Sequence, residues 1–260
     1  MTLLAIDAGN AETRIGLFAR DTLLADFVVA SDERRTSDEW FLVVDGFVRR
    51  SGLDSVDEIA MCCTVPALLE ALRRAYGRYY SGVPVWNVGP GVKTGVPIHT
   101  DNPREVGADR VVNALAAKEL YGGPAIVVDL TGTATVVDAI DAEGRYLGGA
   151  IAPGVEVSLE ALAKRSAQLR SVEISTPRDV IGKNTVEALQ SGTVFGFAGL
   201  IDAIVERMID SLDEDPDDVS VIGTGSHAGV VLSECETITH RNRNLTLEGL
   251  RLVAARNRGL

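Results

Sequence analysis

One sequence pattern occurs twice in this 260-residue chain. An apolar run at residues 3–6 ends in Asp7, and a second run at residues 125–128 ends in Asp129; a glycine follows each aspartate within three residues. Each copy predicts a strand, a tight turn and two further strands. Backbone N–H groups exposed at such turns bind phosphates. The duplication therefore predicts an α/β chain with two similar lobes and a nucleotide held between them.

Composition restricts the partners that such a chain can bind. Hydrophobic residues make up 46% of the sequence and charged residues 24%, which is typical of a soluble globular protein. The formal net charge is −12, so the surface does not attract nucleic acid or an anionic membrane, and we expect neither as a partner. Phosphate ligands would have to be held by backbone N–H groups, a few arginines and a divalent cation.

The cysteines and the N-terminus indicate a cytoplasmic protein. Residues 1–7 have no basic start, and no stretch approaches the ~20 apolar residues that span a bilayer. Cys62, Cys63 and Cys235 form no paired framework, and the first two are adjacent inside a predicted strand, which favours buried reduced thiols over disulfides. The three histidines lack the spacing of zinc ligands.

The first half of the chain predicts alternating strands and helices. A helix through about Arg50 would be capped by Ser37 or Thr36, with apolar residues at helical spacing, and Pro66 fits the first turn of a second helix at 67–76. Residues 89–97 are dense in turn formers and too long to be a mere connector. Strands are predicted at residues 3–7, 13–18, 22–30, 59–63 and 83–88.

The second half repeats the three-strand pattern. Asn184 is predicted to cap a long helix to about Leu212, with Glu187 in a capping-box position. The acidic run 213–218 lacks the spaced ligands and glycine of a calcium loop, so we expect a solvated turn. Strands are predicted at 125–129, 133–140, 146–151 and 219–223, and further helices at 105–121, 155–164 and 246–256; the lobes are predicted as 1–118 and 119–260.

Three segments could contact a nucleotide. Asp7 could hold magnesium directly or through water, beside Gly9 and Asn10, although such a turn also closes many ordinary hairpins. Its repetition at 129–135 favours phosphate binding. The glycine-rich turn 223–226 would let an adenosine pass close to the backbone, but a plain strand-to-helix turn explains it nearly as well.

The segment Gly107-Ala108-Asp109-Arg110 places a carboxylate beside a guanidinium at the head of a predicted helix. Asp109 could accept the proton of an attacking hydroxyl, and Arg110 could bind a substrate carboxylate through two hydrogen bonds. An acidic first helix turn with an exposed arginine is equally common, and the segment alone does not decide between these readings.

Nine motifs follow one another along nearly the whole chain: Asp7-x-Gly9-Asn10, Gly95-Val96-Pro97, Asn102-Pro103, Glu105-Val106-Gly107-Ala108-Asp109-Arg110, Gly132-Thr133-Ala134-Thr135, Leu147-Gly148-Gly149-Ala150-Ile151-x-Pro153-Gly154, Ala167-Gln168-Leu169, Gly182-Lys183-Asn184-Thr185 and Leu245-Thr246-Leu247-x-Gly249-Leu250. In this order they resemble the motifs of the type III pantothenate kinase family.

The resemblance implies two actin-like, ribonuclease H-like lobes of the sugar-kinase and heat-shock ATPase superfamily. It also implies ATP-dependent phosphorylation of the primary hydroxyl of pantothenate to 4'-phosphopantothenate, the first step toward coenzyme A. The implied cofactors are ATP, Mg²⁺ and a monovalent cation, K⁺ or NH₄⁺. Family members are homodimers whose partner subunit helps to close the substrate pocket.

The resemblance also implies a role for individual residues. Asp109 matches the general base and Asp129 the monovalent-cation site. Thr185 matches a pantothenate contact that could serve the neighbouring subunit or simply belong to a helix cap. The remaining substrate residues are Thr100, Gly107, Ala108 and Arg110. The ATP residues are Asp7, Ala8, Gly9, Asn10, Ala11, Glu12, Thr13 and Arg14 in the first loop, and Gly132 and Thr133 in the second.

Three positions depart from the family pattern. Ala11 stands where the family has a threonine, so one hydroxyl able to face a phosphate is missing. Two residues, Leu130 and Thr131, separate Asp129 from its glycine where the family has one, so either the loop bulges or Asp129 moves away from its site. Thr100 replaces an aromatic residue often found there. These departures leave two alternatives: a phosphotransferase for another hydroxylated acid, and a catalytically silent regulatory relative.

Overall fold

The computed structural model describes residues 1–131, 133–165, 172–225 and 228–259. The chain divides into two compact units. The first contains Met1–Val96, Asn102–Ala116 and Leu245–Leu260, and the second contains Pro97–Asp101 and Ala117–Asn244. The C-terminal segment Leu245–Leu260, predicted as part of the second lobe, thus falls in the first unit. A lobe boundary between residues 118 and 119 stays a prediction.

The first unit is built on a five-stranded sheet. Strands β1 (Thr2–Ala8), β2 (Glu12–Ala19) and β3 (Thr22–Ala30) form an antiparallel meander. Strand β4 (Glu58–Cys63) pairs in parallel with β1, and β5 (Val85–Asn87) pairs in parallel with β4. The strand order is therefore β3-β2-β1-β4-β5.

Helices α1 (Ser37–Arg50) and α2 (Pro66–Tyr79) cover one face of this sheet through a shared apolar core. Thr36 is the N-cap of α1 and forms a full capping box with Glu39, which decides between the two caps that the sequence allowed. Trp40 of α1 is fully buried in the core, where truncation to alanine is expected to cost about 3–5 kcal/mol.

The second unit repeats this architecture. Strands β6 (Ala125–Asp129), β7 (Ala134–Ile140) and β8 (Tyr146–Pro153) form a second antiparallel meander. Strand β9 (Ser220–Thr224) pairs in parallel with β6, and β10 (His240–Arg241) with β9, giving the order β10-β9-β6-β7-β8. Because both sheets order their strands in the same way relative to the meander, the predicted duplication is confirmed.

The remaining helices complete the two units. Helix α3 (Ala108–Tyr121) follows a short 3-10 turn at Pro103–Glu105, so the helix predicted from residue 105 begins three residues later. Helix α4 spans Val155–Arg165, α5 spans Thr185–Leu212 and α7 spans Leu245–Asn257, each near its predicted bounds. The five-residue helix α6 (Ala228–Leu232) and strand β10 had no periodic pattern and were not predicted.

Helix α5 is long and apolar. By length and composition alone it could cross a membrane, contrary to the expectation that no stretch is long and apolar enough; its most apolar 18-residue window has a mean hydropathy of 1.5. Only 33% of that window is buried within the chain. A helix at the core or at an interface of a soluble protein passes the same test, so this property alone is weak evidence for a membrane segment.

Candidate active site

The turn between β1 and β2 is closed by backbone contacts. The N–H group of Gly9 donates to the carbonyl of Glu12 at 3.0 Å, and a Cβ atom at Gly9 would lie 3.2 Å from that same oxygen. Asn10 and Ala11 are exposed at the tip of the turn. The sequence therefore placed the glycine correctly, at a point where the backbone has little room for a side chain.

Asp7 lies at the end of β1, on the face of the sheet opposite α1 and α2. Its neighbours in the sequence, Ile6 and Ala8, pack into the core beneath those helices, so the alternation of a strand turns Asp7 the other way. Arg14 of β2 is its registered partner across the antiparallel pair. Both side chains are buried, with 8% and 3% exposure, which puts two opposite charges on one protected face.

Cys62 lies on the same face, one strand further along. It is the registered partner of Asp7 in the parallel pair β1–β4, and its thiol donates a hydrogen bond to Asp7 Oδ1 at 3.3 Å. Burial raises the pKa of Cys62 well above its usual value, and the carboxylates of Asp7 and Asp109 raise it further. All three cysteines are unpaired, but only Cys62 is buried as expected, whereas Cys63 and Cys235 are half-buried. The sequence gave no sign of the contact between Cys62 and Asp7.

Asp109 is the second residue of α3 and is half-buried. Its Oδ1 atom is buried and has no hydrogen-bond partner among the described residues. A Cβ atom at Gly107 would lie 2.4 Å from this oxygen, so glycine is required at 107 for the carboxylate to adopt its position. Because Asp7 and Asp109 both act on the Cys62 thiol, the structure brings these two predicted site residues to one locality. Ala108 and Arg110 flank Asp109 and are half-buried as well.

The second loop accommodates its extra residue after β6. The N–H group of Leu130 donates to the carbonyl of Thr224 at 3.0 Å, which continues the pairing of β6 with β9, and the Leu130 side chain is buried in the core of the unit. The hydroxyl of Thr131 donates to Asp129 Oδ1. Asp129 is the last residue of β6, and Thr131 lies within hydrogen-bond distance of its carboxylate.

Gly225 fits closely over this loop. Its φ of +111° favours glycine, and a Cβ atom there would lie 2.6 Å from the carbonyl carbon of Leu130. The exposed Thr133 accepts a hydrogen bond from the N–H group of Gly154 at its carbonyl, at 3.0 Å. Gly132 of the second loop, residues 167–169 of the family motif and Ser226 of the proposed adenosine turn lie outside the described residues.

The two threonines predicted to contact the substrate lie on different elements of the second unit. Thr100 is half-buried beside Gly148, and its Oγ1 atom is buried without a hydrogen-bond partner in the described parts of the chain. Thr185 is exposed at the first position of α5. Asn184 caps this helix by accepting from the N–H group of Glu187 at 3.0 Å, as predicted, so Thr185 is not needed as the cap.

Comparison with known proteins agrees with this geometry. The family model described as "Type III pantothenate kinase" matches residues 3–207. The type III pantothenate kinase of Thermobifida fusca is 55% identical over 98% of this chain and 99% of its own length, and that of Streptomyces coelicolor is 54% identical over 98% of both.

A solved structure supports the fold. The ROK hexokinase of Thermus thermophilus aligns over 97% of both chains with a TM-score of 0.51 at 16% identity, a likeness that concerns the fold alone. It agrees with the predicted sugar-kinase-like α/β architecture of two duplicated lobes. With its twin meanders, its Gly107–Arg110 segment and relatives that match it from end to end, the chain belongs to the type III pantothenate kinase family.

Proposed function

We propose that this protein transfers the terminal phosphoryl group of ATP to the primary hydroxyl of pantothenate, forming 4'-phosphopantothenate on the route to coenzyme A. Membership of the family supports this reaction over the full length of the chain. One observation carries the catalytic assignment: the buried Oδ1 of Asp109 has no hydrogen-bond partner among the described residues. A buried acceptor of this kind is unfavourable unless a ligand supplies the donor.

Asp109 would orient the attacking hydroxyl and receive its proton. The hydroxyl oxygen forms a bond to the terminal phosphorus as the bond from that phosphorus to the leaving oxygen of ADP breaks, and the proton passes to Asp109. Because the transition state of phosphoryl transfer is loose, the proton leaves late, and orientation of the hydroxyl is the larger contribution of Asp109.

The first loop would hold the phosphates of ATP. Exposed backbone at Asn10 and Ala11 leaves room for a phosphate, and Asp7 would hold Mg²⁺ directly or through water. No group of three or more acidic, histidine or cysteine side chains that could hold a metal occurs among the described residues. A single carboxylate fits Mg²⁺ in such a site, since the nucleotide and water provide most of its ligands. The bound ion would neutralise charge on the phosphate oxygens.

The second loop would hold the monovalent cation. The Asp129 carboxylate and the Thr131 hydroxyl form a pair of oxygen ligands suited to a hard cation. Thr133, exposed beyond them, would contact ATP together with Gly132. The cation would contribute positive charge beside the nucleotide.

The acceptor would be recognised by polar side chains on either side of the 3-10 turn at Pro103–Glu105. The buried hydroxyl of Thr100 can hydrogen-bond a polar group of pantothenate, and Arg110 can bind its carboxylate through two parallel hydrogen bonds. Thr185, exposed at the start of α5, would contact pantothenate bound to a second subunit.

We further propose a homodimer formed through α5. Gly192, Gly196 and Gly199 recur at helical spacing and are exposed, and a Cβ atom at any of them would meet nothing within 4 Å. Val180 and Ile181, just before the helix, are 62% and 73% exposed. A smooth helix face bordered by exposed apolar side chains is suited to close contact with another subunit. Free cysteines and the reaction's use of ATP are consistent with a cytoplasmic enzyme.

A coupled assay of ADP release with pantothenate, ATP, Mg²⁺ and K⁺ tests the proposal. The wild-type protein should turn over, and Asp109→Asn should remain folded and lose most of the rate, because the amide cannot accept the proton. Undiminished turnover in Asp109→Asn would show that Asp109 does not accept the proton of the attacking hydroxyl. Transfer to another hydroxylated acid, with none to pantothenate, would refute pantothenate as the acceptor. Ligand binding detected by calorimetry without consumption of ATP would refute catalysis.

A further inference from the structure

Cys62 has a defined partner that the reaction proposed above does not explain. Its thiol lies 3.3 Å from Asp7 Oδ1, and the two residues are registered neighbours on adjacent parallel strands. Cys62 is fully buried on β4, which lies between β1 and β5 in the sheet. The contact is therefore built into the strand pairing.

In this contact the thiol is the donor and one oxygen of the Asp7 carboxylate is the acceptor. A protonated thiol donates a single hydrogen bond and competes poorly as an acceptor, so it can fix one carboxylate oxygen without neutralising the carboxylate's charge.

We propose that Cys62 is a positioning residue that fixes the orientation of the Asp7 carboxylate for Mg²⁺·nucleotide binding. The inference rests on the magnesium role proposed for Asp7. Without the thiol, one oxygen of the Asp7 carboxylate would lose a hydrogen-bond donor, and the added cost of ordering this carboxylate would weaken binding of the metal–nucleotide complex. Loss of the thiol should therefore weaken nucleotide binding and leave the rate at saturating Mg²⁺ largely unchanged.

Cys63 provides a matched control on the same strand. Its thiol donates to the carbonyl of Val65 at 3.3 Å and is only partly buried, and successive residues of a strand point to opposite faces. Cys63→Ala therefore removes the same chemical group one residue away without touching Asp7.

The test compares Cys62→Ala, Cys62→Ser and Cys63→Ala by calorimetry with Mg²⁺·ADP and by titration of the ATP-dependent rate with Mg²⁺. Cys62→Ala should weaken Mg²⁺·ADP binding, and raise the Mg²⁺ concentration for half-maximal rate, by about threefold to tenfold, the range expected for one hydrogen bond. Cys62→Ser should recover most of this loss, because its hydroxyl can donate to Asp7, and Cys63→Ala should match the wild-type protein.

Two results would overturn the inference. A Cys62→Ser variant that binds as weakly as Cys62→Ala would show that the side chain contributes packing and not a hydrogen bond, and unchanged binding in Cys62→Ala would show no contribution at all. The binding measurement needs no pantothenate. A wild-type protein that binds Mg²⁺·ADP but does not phosphorylate pantothenate would therefore refute the proposed function while the comparison of variants still decides the role of Cys62.

Discussion

Asn257 makes hydrogen bonds to both main-chain groups of Lys93. Its Oδ1 atom accepts from the Lys93 N–H group at 3.0 Å, and its Nδ2 atom donates to the Lys93 carbonyl at 2.9 Å and to the carbonyl of Val253 at 2.8 Å. The side chain is 1% exposed. The glycine- and proline-rich segment 89–97 is therefore attached to α7. The Asn257 side chain bonds both the N–H and the carbonyl group of Lys93, as a neighbouring strand would.

Asn257→Ala should loosen this segment. Loss of the three bonds leaves backbone groups unsatisfied and is expected to lower the free energy of unfolding by about 1–3 kcal/mol. Hydrogen exchange of residues 89–97 should accelerate more than exchange of the β1–β3 meander. Asn257→Asp, which places a buried carboxylate oxygen against the carbonyls of Lys93 and Val253, should be destabilised at least as much as Asn257→Ala at neutral pH. If residues 89–97 exchange at the same rate in the wild-type protein and in both variants, Asn257 does not hold this segment in place.

Gly107→Ala should impair catalysis without unfolding the protein. A methyl group at this position would lie 2.4 Å from Asp109 Oδ1 and would displace the carboxylate. We expect a fall in kcat of about 10- to 100-fold, the effect of a displacement near 1 Å at a reacting group. Gly46→Ala, in α1 with nothing within 4 Å of the added atom, is the control and should keep full activity. Normal kcat in Gly107→Ala would remove Asp109 Oδ1 from the reaction.

Thr131→Val should raise the requirement for K⁺. The substitution preserves shape but removes the hydroxyl that donates to Asp129, so the K⁺ concentration for half-maximal rate should rise by about threefold to tenfold. The increase in thermal midpoint on adding K⁺ should shrink in parallel. Thr237→Val is a matched control, since Thr237 Oγ1 donates to Asp202 Oδ1 at 2.7 Å elsewhere in the same unit. An identical K⁺ response in Thr131→Val and Thr237→Val would argue against a cation site at Asp129.

Gly196→Arg should dissociate the homodimer. The added side chain meets open space within the chain, so folding should persist, but a charge in the middle of the α5 face would be buried against the second subunit. Sedimentation velocity should show a dimer for the wild-type protein and a monomer for this variant. Gly77→Arg, at an equally open position on α2, should remain dimeric. A dimeric Gly196→Arg would place the contact on another surface, and a monomeric wild-type protein would refute the homodimer.

The sequence predicted those strands and helices that are specified by a pattern within a short stretch of the chain. The paired apolar runs before Asp7 and Asp129 locate both meanders, and Asn184 locates the start of α5. Contacts that depend on strand register were not predictable, because no local pattern says that Cys62 lies beside Asp7. The course of the second loop also depended on tertiary structure, since Leu130 is held by the carbonyl of Thr224, almost a hundred residues later.

The first unit is assembled from segments that are far apart in the chain, which has a consequence for its folding during synthesis. Helix α7 packs against β1 and β4, and Leu245, Leu247 and Leu250 of this helix are buried there, yet the ribosome makes it after all of the second unit. The sheet that carries Asp7 and Cys62 therefore lacks the helix that covers one of its apolar faces while residues 117–244 leave the ribosome and begin to fold. Ribosome-bound intermediates that end before residue 245 should present this face to chaperones.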